Sequence, residues 1–310
     1  MVMPRAKQGV REFLLATLLT ALTCSQSILI VATKLRRGQY VYSTVSANLT
    51  VELLKLLVSG LGILVEVNRD GITAETSIKM SLKDAVAYSI PAALYLAKNL
   101  LQYKVLLYVD APSYQILKNL NVLTTTLLYA ILLRKNVNSL QWCAMVLLSA
   151  GCAVSQLETR SNAVLDLSYR GIFMATVMAL LSSFASVYSE FILKKDFKRS
   201  LHVQNFYLYF FGVTLNFIVF VNSKTSKRPF FGGFSYLVWL MIVNHAFSGV
   251  IVSYVLKFSN NLTKVKATSA AVLLTTLLSA MFLRFNLTLQ FALGFIIVVT
   301  ALYIPTASHH

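Results

Sequence analysis

Acidic side chains are scarce in this sequence. Eleven Asp and Glu stand against 28 Lys and Arg in 310 residues, and charged residues of both signs make up only 13% of the chain. Soluble domains carry about 25%, so an ordinary water-facing surface is excluded. The complement is a hydrophobic content of 57% and a mean hydropathy of +0.68, the composition of an integral membrane protein. Five prolines and twelve glycines are too few for a disordered or collagen-like chain. Three cysteines, Cys24, Cys143 and Cys152, fall in apolar runs without the spacing of a metal set or disulfide framework, and read as structural thiols. His202 and His245 stand apart from any carboxylate pair, which argues against a metal centre or a catalytic base. No stretch alternates polar and apolar residues as a barrel strand would.

A bilayer core needs about 20 apolar residues per helix. The apolar runs predict ten, at 13–33, 44–67, 85–108, 112–133, 139–157, 171–193, 203–222, 235–257, 266–284 and 287–305. The fold class is therefore an all-α membrane protein of ten transmembrane helices, with connections too short for a separate soluble domain. The first run reads as a spanning helix rather than a cleaved leader. Ten crossings put both termini on one side. Fifteen Lys and Arg fall there and nine opposite, so the positive-inside rule places both termini in the cytosol. Lys194, Lys195, Lys198 and Arg199 cluster on that side, as orientation charge or as partners for anionic lipid. Because some lysines lie inside spans, the net charge of +17 also suits attraction of an anionic substrate into a central cavity.

Residues 125–136 read TTLLYAILLRKN and residues 275–286 read TTLLSAMFLRFN, identical at eight of twelve places and 150 positions apart. An internal repeat makes each copy the same structural unit. Five helices separate the copies, and an odd number inverts the second half. The expectation is two inverted five-helix repeats, 1–160 and 161–310, forming one membrane domain with a site near the midplane.

Four spans carry polar residues on one helical face. They are Asn48, Glu52, Lys55 and Ser59; Tyr88, Tyr95, Asn99 and Gln102, with Lys98 beside them; Tyr114, Lys118, Asn121 and Thr125; and Asn205, Tyr209, Gly212 and Asn216. Such stripes also glue helices together, and Glu52 and Lys55 have the spacing of an intrahelical ion pair. Glue alone does not call for several lysines and tyrosines at once, so a water-filled cavity is the stronger reading. Lysines (Lys55, Lys98, Lys118, Lys264) supply point charges for phosphate. Tyrosines offer faces for a base and hydroxyls for ribose or sugar, and Asn and Gln read base edges. A nucleotide fits all three.

The segments 91–99 (PAALYLAKN), 110–115 (DAPSYQ), 187–194 (VYSEFILK), 205–212 (NFYLYFFG), 257–264 (KFSNNLTK) and 291–294 (FALG) resemble the nucleotide-sugar transporter family, nearest its CMP-sialic acid and UDP-galactose branch. The resemblance runs through nearly the whole chain in order. It implies a ten-helix Golgi antiporter, not an enzyme, that exchanges a cytosolic nucleotide sugar for a luminal nucleoside monophosphate by alternating access. It implies CMP as the favoured nucleotide and UMP as the alternative, no cofactor, no metal and no nucleic-acid partner. By the same resemblance Tyr95 and Asn99 contact the nucleotide, Tyr114 lines the same pocket, and Asn205 and Tyr209 stand on the base and ribose side. Lys264 is a basic position, Glu52 and Lys55 form a charged pair, and Lys98, Lys118, Asn121 and Tyr188 complete the expected site. Two departures concern the sugar: Asn121 stands where the branch has a lysine, with Lys118 at a tyrosine-like place, and Phe211 replaces a small hydroxyl residue.

Overall fold

The computed structural model describes residues 5–33, 40–105, 117, 119–155, 169–223, 229–283 and 289–304, and the described residues hold helices and no strand. In chain order they are α1 (Arg5–Ala32), α2 (Thr44–Asp70), α3 (Leu82–Ala87), α4 (Ser89–Val105), α5 (Leu120–Leu132), α6 (Ser139–Val154), α7 (Tyr169–Lys195), α8 (Leu201–Asn222), α9 (Tyr236–Phe258), α10 (Asn261–Leu283) and α11 (Leu289–Tyr303). Setting aside the six-residue α3, the described residues place ten helices at the ten apolar runs. Val10–Ile30, α7, α8 and α9 are long and apolar enough to cross a membrane, and α5, α6 and α11 are shorter apolar helices.

Side-chain caps set the starts. Ser43, Ser81, Ser200 and Ser235 accept a backbone N–H of the first turn of α2, α3, α8 and α9. Asn138 and Gln141 form a capping box on α6, and Asn260 Oδ1 accepts from Thr263 N at 2.8 Å ahead of α10. Each satisfies donors a helix terminus leaves open. α2 stops at Gly71, whose φ of 76° favours glycine.

Two boundaries differ from the sequence reading. The run 85–108 breaks at Tyr88, which is buried and stacks on Tyr207 at 6.2 Å between ring centroids. Tyr88 is thereby packed against α8. α10 begins at Asn261, ahead of the predicted 266, so Lys264 and Lys266 are helical.

The chain forms two compact units. Unit 1 comprises Met1–Leu96 and Ser189–Ser259, and unit 2 comprises Ala97–Tyr188 and Asn260–His310. Each draws helices from both halves of the sequence. In unit 1, α2 packs along α8 and α1 along α9, around Ala47, Val51, Val238, Met241, Ile242 and Ala246. In unit 2, α6 packs along α11 and α5 lies on both α6 and α10, around Met145, Leu148, Val187, Leu273 and Val298.

Burial is inverted relative to a soluble protein. On α2 the exposed side chains are Leu53, Leu57, Leu61 and Leu64, while Lys55 and Ser59 are buried. On α8 Phe210, Phe217, Ile218 and Val221 are exposed, while Asn205, Tyr209 and Asn216 are buried. An apolar exterior around polar helix faces is what a lipid solvent selects.

Two of the four cluster residues, Lys195 and Arg199, hold the segment 77–84 within unit 1. Lys195 pairs with Asp84 at 2.9 Å. Arg199 donates to Ser77 O and Lys79 O, and Lys194 pairs with the buried Glu190. At the exposed Asp84, the hydrogen bond from Ser81 and then Lys195 hold the carboxyl below its usual range. Lys257, at the end of α9, is 2% exposed and donates to Gln204 Oε1 at 2.8 Å.

Candidate functional site

Two glycines set how closely α2 and α8 approach. A Cβ on Gly62 would lie 2.3 Å from His202 Nδ1, and one on Gly212 would lie 2.6 Å from Glu52 Oε2. The contacts 52 to 212 and 62 to 202 fix an antiparallel register. Within it Lys55 meets Tyr209, its Nζ 4.5 Å from the ring centroid, and Ser59 stands level with Asn205. Lys55 Nζ also donates to Glu52 Oε1 at 2.5 Å, the intrahelical pair expected from their spacing.

α9 closes this seam. A Cβ on Gly249 would lie 2.9 Å from Lys55 Cδ, so only glycine lets the lysine stem pass there. Tyr209 Oη lies 3.3 Å from Ser253 Oγ. The result is a cation held between a carboxylate and an aromatic face. An ionisable group at bilayer depth costs about 2.5–3.5 kcal/mol on insertion scales, and the pairing offsets part of that. Beside it, Asn205 is fully buried, and both its amide atoms lack a hydrogen-bond partner among the described residues, as does Ser59 Oγ. An orphaned polar group costs about 1–3 kcal/mol, so its retention needs a reason outside the folded chain's own bonds.

Of the twelve expected site residues, Glu52, Lys55, Tyr95, Asn205 and Tyr209 belong to unit 1. The seam joins Glu52, Lys55, Asn205 and Tyr209, and Tyr95 is half-buried on α4. Lys98, Asn99, Asn121, Tyr188 and Lys264 belong to unit 2. There Lys98 Nζ donates to Asn99 Oδ1 at 3.3 Å, and Tyr188 stacks on Phe184 at 6.0 Å. Asn121 accepts from Ser183 Oγ at 2.7 Å, bonding α5 to α7. Lys264 donates to Ser186 Oγ, which itself donates to Asn261 Oδ1. Tyr114 and Lys118 lie outside the described residues.

The sequence reading missed Ser253, Gly249 and the notch at Gly62. For Gly62 a signal existed: the repeat offset of 150 carries it onto Gly212 and carries Glu52 onto His202.

A buried lysine, an aromatic face and an amide with open valences meet at this seam. Among the described residues no group of His, Cys, Asp or Glu could hold a metal ion. The long apolar helices and apolar exterior are those of a membrane protein. The sequence profile of the nucleotide-sugar transporters matches residues 10–306, and the chain belongs to that family of multi-pass membrane transporters. It is 46% identical over 289 residues to CMP-sialic acid transporter 2 of Oryza sativa subsp. indica, covering 92% of this chain and 81% of that one. It is 44% identical over 300 residues to CMP-sialic acid transporter 4 of Arabidopsis thaliana, covering 96% and 85%. A probable UDP-sugar transporter protein SLC35A4 of Xenopus tropicalis is 32% identical over 273 residues, covering 86% and 83%. A crystal structure aligned over 96% of both chains has a TM-score of 0.69 at 16% identity, which is a likeness of fold.

Proposed function

We propose that the protein is a Golgi antiporter that carries a CMP-linked sugar of the CMP-sialic acid type inward and CMP outward. The observation that carries this reading is the Glu52–Lys55–Tyr209 seam beside the unpartnered amide of Asn205. Lys55 supplies charge for a phosphate and Tyr209 a face and hydroxyl for the nucleoside. Asn205 has both a donor and an acceptor for a base edge. Identity of 46% to a protein named for CMP-sialic acid supports the cytidine assignment. Tyr95, Lys98, Asn99, Tyr114, Lys118, Asn121, Tyr188 and Lys264 are proposed to complete the ligand's surroundings.

Ten crossings in two inverted repeats, 1–160 and 161–310, with both termini cytosolic, is the architecture proposed for alternating access. The α2/α8 register supports it. Shifting by 150 turns the contact of Glu52 with Gly212 into that of His202 with Gly62. An antiparallel helix pair whose contacts exchange in this way has a local two-fold axis across it, which is what an inverted duplication imposes. Each ligand shifts the carrier between its two states by binding them unequally.

Counterflow in proteoliposomes loaded with CMP, UMP, GMP or AMP tests the function. Uptake of labelled CMP-sialic acid driven by internal CMP is the expected result. Drive by UMP alone transfers the assignment to UDP-sugars, the reading favoured by the 32% identity to a probable UDP-sugar transporter. No exchange with any nucleotide overturns the proposal.

A further inference from the structure

The connection from α8 to α9 carries a chain of aromatic rings that the site above does not use. Two turns fold it: Gly232 N donates to Pro229 O at 2.9 Å, and Phe234 N to Phe231 O at 3.1 Å. Gly233 has a φ of 78°, and a Cβ on it would lie 2.7 Å from Val41 O. Glycine therefore lets this connection seat on residues 40–42, just ahead of α2. Ring centroids follow one another from Phe220 to Phe230 at 5.1 Å and from Phe230 to Phe231 at 4.7 Å. Phe231 meets both Phe234 and Trp239 at 5.5 Å, and Phe234 meets Tyr42 at 6.0 Å. Tyr42 is buried, with its Oη 3.3 Å from Thr33 Oγ1 just past α1 and donating to Met241 Sδ of α9 at 3.6 Å. One cluster thus ties together the ends of α1 and α8 and the starts of α2 and α9.

The rim of this cluster faces outward. Val41, Phe231, Tyr236 and Trp239 are exposed, while Phe230 and Phe234 are half-buried. The rim runs into the apolar stripe of α9, where Tyr236, Leu240, Val243 and Phe247 are exposed at helical spacing. Both α8 and α9 are long and apolar enough to cross a membrane, so the connection between them lies where the bilayer ends. At that depth a tryptophan or tyrosine sets its apolar ring on acyl chains and its polar tip among headgroups.

Charge selects the headgroup. Lys34, Arg36 and Arg37 come just before Tyr40 in the sequence, and Lys224, Lys227 and Arg228 just before Pro229. These six lie outside the described residues and count by sequence position alone. No Asp or Glu occurs in 33–43 or 222–236. In the orientation proposed above they are six of the nine cations opposite the termini. The positive-inside rule explains an excess on the other side and leaves these without a reason. A second copy of the same face would set like charge against like charge, whereas an anionic leaflet complements it.

We propose that this end of unit 1 binds anionic phospholipid. Val41, Phe231, Tyr236 and Trp239 sit at the boundary of acyl chains and headgroups, and the basic segments before them draw acidic headgroups to it. The surface is separate from the nucleotide site, and its test needs no transport.

Trp142 and Trp239 are the two tryptophans of the chain, so Trp142→Phe leaves Trp239 as the reporter. The full-length protein is placed in phosphatidylcholine vesicles holding a small fraction of lipid brominated near the headgroup. Brominated phosphatidylserine should quench Trp239 about twofold more strongly than the same fraction of brominated phosphatidylcholine. Added salt should narrow the difference. The triple variant Lys224→Gln, Lys227→Gln and Arg228→Gln should bring the two lipids level, with quenching by phosphatidylcholine unchanged. Tyr236→Asp, at a side chain 78% exposed, should weaken the preference part of the way. If Trp142→Phe folds poorly, the wild-type signal less that of Trp239→Phe reads the same quantity. Equal quenching by the two lipids, or a preference that survives the triple replacement, overturns the proposal. So does quenching by aqueous iodide alone, which puts the rim in water, or by neither iodide nor lipid, which puts it under a second copy of the chain.

Discussion

At the α6/α11 crossing the side chains that meet are Gly151, Gly294, Ile297 and Val298, whereas at the α2/α8 crossing they are Glu52, Lys55, Tyr209 and His202. Both pairs join segments about 150 residues apart, both run antiparallel, and both use glycine to bring the helices close. In α6/α11 a Cβ on Gly294 would meet backbone, 2.6 Å from Gly151 O and 2.6 Å from Ser155 N. In α2/α8 the glycines face the ends of polar side chains. The first crossing is a dry frame with no slack, of the small-residue kind that membrane helices favour. The second holds charge, and its closest contacts are to side chains rather than to backbone.

The sharpest way to break this contrast is to remove one charge. Lys55→Met leaves Glu52 as an uncompensated carboxylate, and losing one partner of a buried pair costs about 3–5 kcal/mol. The expected outcome is a large drop in thermal unfolding temperature in detergent, together with loss of exchange. The double variant Glu52→Gln with Lys55→Met should regain most of the stability and none of the transport. A single variant that melts like the wild type would mean that the pair is solvated in the working protein, and the seam no different from a surface.

Exchanging the glycines probes the frame itself. Gly294→Leu drives a side chain into backbone, and overpacking costs about 1–3 kcal/mol or more. The folded yield should fall, with the remaining protein exchanging at a normal half-saturation. Gly212→Ala should melt within about 1 kcal/mol of the wild type, since Glu52 can swing aside. Swinging aside loosens the carboxylate from Lys55, so exchange should fall about tenfold, a change of roughly 1.4 kcal/mol in binding. If Gly212→Ala unfolds the protein and Gly294→Leu is silent, the roles of the two crossings are reversed.

Hydrophobic runs alone located ten helices, because a membrane helix must satisfy its own backbone and so shows itself in composition. The α2 and α8 stripes were legible for a related reason: a lysine or asparagine inside an apolar run is expensive enough to be conspicuous. Partnership was not legible. Asn121 and Asn205 look alike in sequence, yet Asn121 accepts from Ser183 while Asn205 has both amide atoms open among the described residues. Which of two buried amides is glue and which is available to a ligand depends on a hydroxyl about 60 positions away, which no local pattern encodes. The Gly62 notch was hidden for the opposite reason, since a glycine carries no chemistry of its own until its neighbour is known.

That difference between two asparagines gives the finest test of the comparison. Asn205→Leu replaces an orphaned amide by an apolar side chain of similar shape, and removing such a penalty stabilises by about 1 kcal/mol. Ser59→Ala, level with it on α2, should act in the same direction and more weakly. Both variants are expected to melt slightly above the wild type, while Asn205→Leu loses nucleotide discrimination in competition with CMP, UMP and GMP. The same replacement at Asn121 should destabilise, because it removes the acceptor shared by Ser183 Oγ and Thr125 Oγ1. Stability rising as recognition is lost is the signature of a residue kept for its ligand. If Asn205→Leu instead melts lower, the amide is bonded within the fold, and the α2/α8 seam is packing after all.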